Sequence, residues 1–142
     1  DLSFEKKKVS KNRIIDMEIK KTGKLFSFCC MAPPIIKKRS LREINFFENI
    51  GANIGLLFQI ADDLIDFKGT SKIAGKKTGK DGKKGKATLI GLLGYKNTVN
   101  YSNKIKSKII KDLKKYYPRS NNIEETLNYI LNRKKWVKVI NF

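Results

Sequence analysis

The 142-residue chain contains no histidine, only two cysteines and three prolines, and no long apolar run. The absence of histidine argues against a histidine-based hydrolase and against His-ligated zinc. Cys29 and Cys30 are adjacent in a predicted helix, where neighbouring side chains diverge, so we expect small buried residues rather than a disulfide or a metal site. The most apolar stretch, residues 54–65, is shorter than the roughly 18 residues of a membrane span and contains polar residues. We therefore expect a cytoplasmic protein with no membrane insertion.

Acidic residues are also scarce, since 13 Asp and Glu face 32 Lys and Arg and leave a net charge of +19. Such an excess invites a nucleic-acid or anionic-membrane partner. The lysines, however, are dispersed from Lys6 to Lys138, and most aromatic residues fall at apolar helix positions. A nucleic-acid interface would need a concentrated basic face with stacking aromatics. A basic nucleic-acid-binding helical module is therefore the less favoured alternative, and we expect no nucleic-acid partner.

The few prolines and the lack of two-residue alternation predict an all-α fold of helices joined by short turns. Ser10 can cap a first helix, which Gly23 is expected to interrupt. A short apolar helix should then run from Leu25 to Met31, with Pro33 and Pro34 stopping it.

The S-x-x-E spacing of Ser40 and Glu43 predicts a capping box at the start of a long helix. This helix should run from Leu41 to about Phe67 and be largely buried, because most of its surface is apolar. A Gly- and Lys-rich loop is expected over residues 67–86, followed by a short helix over residues 87–93.

Apolar residues at helical spacing around Ile109 predict a further helix that ends before Pro118. A last helix should begin near Asn122 and Glu125. The tail, residues 134–142, has no clear period and is left unassigned.

Gln59, Asp62, Asp63 and Asp66 lie at i, i+3, i+4 and i+7, so a helix presents them on one face. One interpretation is that these carboxylates face water and pair with nearby lysines. The other is a Mg²⁺ site, because Mg²⁺ accepts one or two protein carboxylates and completes its octahedron with water and phosphate oxygens. The pattern alone leaves both open.

The loop after the carboxylates places lysines beside glycines, at Lys76, Lys80 and Lys86, where they could close over a polyphosphate. None of these positions has the spacing of a nucleotide-binding P-loop. Lysines in a loop are usually only solvated, so this signal gains weight from its place directly after the Asp residues.

The chain contains four short sequence motifs in a fixed order. They are Lys21-Thr22-Gly23, the segment from Gly55 to Asp66, Gly75-Lys76, and Gly85-Lys86-Ala87-Thr88. In order and spacing they resemble the trans-polyprenyl synthetase family, over roughly residues 10–133. The segment F-Q-x-x-D-D-x-x-D is similar to that family's second aspartate-rich motif.

The resemblance implies a prenyltransferase that condenses isopentenyl diphosphate with an allylic diphosphate, with farnesyl diphosphate as the favoured product. It implies that Asp62 ligates Mg²⁺, supported by Asp63 and Asp66. It further implies that the diphosphate is held by Lys21, Thr22, Gln59 and Lys76. Apolar helix walls would shield the allylic cation from water.

The same resemblance implies that residues 1–142 are the C-terminal part of one domain. The expected fold is an antiparallel helical bundle around a central apolar cavity, and the whole protein is expected to be a homodimer. The chain starts at Asp1 rather than methionine, and the family's first aspartate-rich motif and isopentenyl diphosphate site are expected upstream. As given, residues 1–142 should therefore be inactive alone. A noncatalytic or degraded relative of the family is the other alternative.

Overall fold

The computed structural model describes residues 10–73, 88–116 and 121–133. These residues form helices, with no strand in the described ranges, which confirms the all-α prediction. The helices are α1 (Lys11–Glu18), a π-helical turn (Ile19–Gly23), α2 (Lys24–Ile36), α3 (Leu41–Ile73), α4 (Leu89–Leu93), α5 (Tyr95–Tyr116) and α6 (Asn121–Asn132).

Helix α3 is the centre of the fold, because every other helix and the π-turn pack against it. The deepest apolar side chains come from four helices and are at most 1% exposed: Leu57, Ile60, Leu89, Ile109, Leu113 and Leu127. Burying each such side chain contributes about 1.5–3 kcal/mol. Among the described residues, no helix combines the length and the apolar character that a membrane crossing would require.

Helices α2 and α3 run antiparallel, as their cross-contacts show. The Ser27 hydroxyl donates to the Glu48 carbonyl at 3.0 Å, while Thr22, earlier in the chain, contacts Gln59, later in the chain. Helices α5 and α6 are paired in the same sense. Lys106 Nζ donates to Asn128 Oδ1 at 2.9 Å, and Lys114 Nζ lies 3.9 Å from Glu124 Oε2.

The predicted helix starts are confirmed at two serines. Ser10 Oγ accepts from the Arg13 amide at 3.4 Å, and Ser40 Oγ accepts from the Glu43 amide at 3.3 Å. Such bonds supply partners for the amides of a first helical turn. The Glu43 amide also donates to the Ser40 carbonyl at 3.0 Å. Thr88 caps α4 in the same way through the Gly91 amide at 3.1 Å, so this helix begins at Leu89 rather than at residue 87.

Of two predicted interruptions near the start of the chain, the first is met in part and the second is wrong. The α-helical path is interrupted by the π-turn, which ends at Gly23, but the chain stays helical and leads directly into α2. Pro33 and Pro34 do not stop α2, which continues to Ile36. Each proline fixes a helical φ but removes a donor and crowds the preceding turn. The last turn nevertheless closes through bonds such as that from the Lys37 amide to the Pro33 carbonyl at 3.0 Å.

Helix α3 is longer than predicted, since it extends past Phe67 to Ile73. The first part of the predicted loop is therefore helical. Phe67 stacks on Tyr95 of α5, with ring centroids 5.7 Å apart. The Lys68 ammonium lies 5.6 Å from the centroid of the Tyr95 ring. These contacts fasten the added turns to α5 and offset the roughly 1 kcal/mol that Gly69 costs in a helix.

Other predictions meet the structure only in part. Cys29 is exposed, so the expectation of a buried residue is wrong there, while Cys30 is half-buried. Helix α6 begins at Asn121, within one residue of the prediction. Lys76, Pro118 and the tail over residues 134–142 lie outside the described residues.

Candidate functional site

The π-turn brings the first two predicted site residues to α3. A π-turn inserts an extra residue into the helical path and re-aims the side chains around it, and such turns are frequent at functional sites. Lys21 and Thr22 lie within it. The Thr22 hydroxyl donates to Gln59 Oε1 at 3.1 Å across 37 residues of sequence. The structure thus joins Thr22 and Gln59, which sequence reasoning placed in one site.

Glycines set how closely the π-turn and α2 approach α3. A Cβ at Gly55 would lie 2.5 Å from Gly23 Cα, and a Cβ at Gly51 would lie 2.4 Å from the Phe26 carbonyl oxygen. Real side chains do not come this near to backbone, so the two segments meet backbone to backbone. This close approach of the π-turn to α3 sets the position of Thr22 relative to Gln59.

The polar stripe on α3 passes from a buried end to an exposed end. Gln59 and Asp62 are 9% and 7% exposed, Asp63 is half-buried and Asp66 is exposed. All lie on α3. The interpretation in which all of these carboxylates face water is wrong for Asp62, because that side chain is buried.

Asp62 is paired with Arg133, a residue that the sequence analysis did not select. The Arg133 guanidinium donates to Asp62 Oδ1 from a position directly after α6, and the two side chains are 7% and 9% exposed. It also donates to the Phe58 carbonyl at 3.3 Å and covers the Phe58 ring, with Cζ 4.1 Å from the ring centroid. Burial lowers the pKa of Arg133, but a guanidinium remains protonated.

The signal for Arg133 in the sequence is faint. Arg133 follows the last helix in a Lys-rich stretch, and no local spacing relates it to Asp62, which is 71 residues away. Only the packing of α6 against α3 brings them together.

Glu18 is a second site residue that sequence reasoning missed. It is 4% exposed, and its Oε2 has no hydrogen-bond partner. Burial first, and then the charge of Asp63, raises the pKa of Glu18 to about 7, while Lys21 acts in the opposite direction. Glu18 follows the buried Ile14 by four residues, and this spacing on the inner face of α1 could have identified it.

The donor set fits a metal ion that arrives with further ligands. Among the described residues, no group of three or more His, Cys, Asp or Glu side chains is arranged to hold a metal ion by itself. Mg²⁺ does not need such a cage, because one or two carboxylates suffice when water and phosphate oxygens complete its shell. Asp62 and Asp63 provide hard oxygen atoms of that kind on one helix.

Comparison with known proteins relates the chain to one family. The family model described as polyprenyl synthetase matches residues 1–130. Farnesyl diphosphate synthase of Micrococcus luteus is 31% identical over 135 residues, which are 95% of this chain and 46% of that protein. Decaprenyl-diphosphate synthase of Dictyostelium discoideum is 33% identical over 113 residues, covering 76% of this chain and 25% of that protein.

A solved structure shows the same fold. The geranyltransferase of Helicobacter pylori 26695 superposes with a TM-score of 0.66 at 24% identity, covering 92% of this chain and 41% of that one. The chain spans less than half the length of each of these relatives. The family match extends over nearly all of the sequence, and the chain belongs to the polyprenyl synthetase family.

Proposed function

We propose that this chain carries the allylic diphosphate site of a Mg²⁺-dependent prenyltransferase, which joins isopentenyl diphosphate to an allylic diphosphate. The observation that carries the proposal is the contact between two motifs that are distant in sequence. The Thr22–Gln59 hydrogen bond places the Lys21-Thr22 pair beside the helix face that bears Asp62 and Asp63. A cation, a hydroxyl donor and carboxylates on two facing segments are what a metal-bound diphosphate needs.

The chain's own donors would hold the leaving group. Lys21 would give an ammonium to the diphosphate oxygens, and Thr22, whose one hydroxyl proton is donated to Gln59 Oε1 in this structure, would turn that proton to a diphosphate oxygen. When the allylic C–O bond breaks, the electron pair leaves with the diphosphate, and donors already in place stabilise the charge that develops there. The allylic cation is then attacked by the double bond of isopentenyl diphosphate, and a proton is lost.

Asp62 and Asp63 are the residues that would hold Mg²⁺ in this proposal, with Asp66 supporting it from the exposed end. When bound, the ion supplies charge neutralisation to the departing diphosphate. Asp62 suits the role because its position is fixed by burial and by a neighbouring cation. Lys76 is assigned to the diphosphate by the family resemblance and lies outside the described residues.

Farnesyl diphosphate is the product we favour. The relatives carry the names farnesyl, geranylgeranyl and decaprenyl diphosphate synthase. The homodimer expected for the whole protein belongs to the same proposal. Exposed apolar side chains on α2, at Leu25, Phe28 and Ile36, support a covered face there.

The test is a condensation assay on the protein extended by its upstream coding sequence, because the isopentenyl diphosphate site is expected there. We expect Mg²⁺-dependent condensation of isopentenyl diphosphate with dimethylallyl and geranyl diphosphates. Asp62→Ala should reduce its rate by about 10²–10³-fold. Asp112→Ala is the matched control, since Asp112 is a carboxylate on α5 whose ion pair is with Lys108 of the same helix. A folded wild-type protein without activity would instead identify a noncatalytic relative.

A further inference from the structure

Arg133 contacts Asp62 and is itself held by Phe58, although neither the family motifs nor the proposed chemistry assigns it a role. Its guanidinium donates to the Asp62 carboxylate and to the Phe58 carbonyl, and its Cζ lies 4.1 Å from the centroid of the Phe58 ring. Phe58 is supported in turn by Phe26 of α2, with ring centroids 5.6 Å apart. The guanidinium is therefore fixed by α3, and α2 supports the ring beneath it.

Forming the Asp62–Arg133 ion pair costs desolvation free energy, and removing one partner costs stability. Both side chains are more than nine-tenths buried, so both charges lose most of their hydration. Removing one partner of a buried pair leaves the other charge uncompensated, which is strongly unfavourable. Arg133 therefore acts as a built-in cation for Asp62, which offsets the charge of the carboxylate and fixes its position.

A cation on Asp62 provides a physical basis for discriminating between ligands. A bare divalent ion approaching Asp62 meets a guanidinium on the same carboxylate, and like charges repel strongly where water is excluded. A divalent ion that arrives with diphosphate brings anionic oxygens, which can accept hydrogen bonds from the guanidinium fork. The fork can then turn from Asp62 to the diphosphate.

We propose that Arg133 is a selectivity residue, which makes the Asp62 site accept a divalent cation together with diphosphate and exclude the cation alone. The proposal rests on the proposed function, because it takes Asp62 as a metal ligand. It goes further in assigning a role to a residue outside the aspartate motif. It also predicts an order of preference among ligands that can be measured without turnover.

The experiment measures Mn²⁺ binding to the full-length protein by electron paramagnetic resonance of the free ion, with and without inorganic diphosphate. Wild type should bind Mn²⁺ weakly at this site and much more tightly with diphosphate. Arg133→Gln should bind Mn²⁺ alone about tenfold more tightly, because the repulsion is gone, and should gain less from diphosphate. Circular dichroism and thermal unfolding establish that each variant is folded.

An Asp62→Asn background shows whether the effect arises at this carboxylate. The gain from Arg133→Gln should disappear there, which separates it from metal binding elsewhere in the protein. Arg133→Lys keeps the charge without the planar fork. It should keep Mn²⁺ binding weak while losing much of the gain from diphosphate, so it also tests the proposal if Arg133→Gln fails to fold.

The outcomes separate this inference from the function on which it rests. Cooperative binding of Mn²⁺ and diphosphate in wild type, with unchanged or weaker Mn²⁺ binding in Arg133→Gln, overturns the role of Arg133 alone. A tenfold gain that persists in the Asp62→Asn background also overturns it. The absence of any cooperative binding in wild type overturns the diphosphate site and the inference together.

Discussion

A single methyl group at Gly55 should separate the two halves of the candidate site. A Cβ at this position would lie 2.5 Å from Gly23 Cα, 3.1 Å from the Gly23 amide nitrogen and 3.2 Å from Phe26 Cδ2. Two of these three atoms are backbone, so relief requires α3 to move away from the π-turn. Overpacking of this kind costs about 1–3 kcal/mol, and the rigid neighbours place Gly55→Ala near the upper end.

Helix propensity works in the opposite direction, and a control isolates it. Alanine is better than glycine inside a helix by about 1 kcal/mol. Gly69 is exposed on the same helix, and a Cβ there meets nothing within 4 Å. Gly69→Ala should therefore be stabilising by up to about 1 kcal/mol, whereas Gly55→Ala should be destabilising by about 2 kcal/mol net.

The assay is urea denaturation followed by circular dichroism, together with titration by an allylic diphosphate. Gly55→Ala should lower the free energy of unfolding and weaken diphosphate binding, because Thr22 moves away from Gln59. Gly69→Ala should leave binding unchanged. If Gly55→Ala is as stable as Gly69→Ala, the backbone-to-backbone packing described above is wrong.

Two further substitutions test single side chains. Because the pKa of Glu18 is raised from 4.5 to about 7, the folded state holds a proton that the unfolded state releases, and stability should fall as pH rises from about 4.5 through 7. Glu18→Gln should therefore be stabilising by about 1–2 kcal/mol at pH 8 and nearly neutral at pH 4.5, and equal effects in denaturation at both pH values would contradict this. Thr22→Val removes the donor to Gln59 but keeps the shape, and should cost about 1 kcal/mol of stability and about tenfold in kcat/KM. An unchanged kcat/KM in steady-state assays would remove Thr22 from the site.

Local signals predicted the helices and their caps well. The serine caps at Ser10 and Ser40 were readable because capping depends on residues three positions apart. The proline stop was wrong, because the carbonyls of Pro33 and Pro34 still accept backbone bonds from Lys37 and Arg39 and so close the last turn, although each proline removes a donor. The length of α3 was underestimated, because its last turns depend on the contact of Phe67 with Tyr95 on another helix.

The candidate site divides in the same way. The α3 stripe was visible because its members are spaced on one helix, and the family resemblance added Lys21 and Thr22. That Thr22 and Gln59 touch follows from glycine packing between two segments, which no local pattern encodes. The ion pair between Asp62 and Arg133 depends on the packing of α6 against α3, which the spacing of residues in the sequence does not predict.

The most direct measurement is the steady-state kinetics of the extended protein with each of its two proposed substrates varied in turn, for wild type and Asp62→Ala. If this chain forms the allylic diphosphate site, the substitution should reduce kcat/KM for the allylic substrate by about 10²–10³-fold, while KM for isopentenyl diphosphate stays close to wild type. An undiminished kcat/KM for the allylic substrate, or a defect confined to isopentenyl diphosphate, would contradict the assignment of this site.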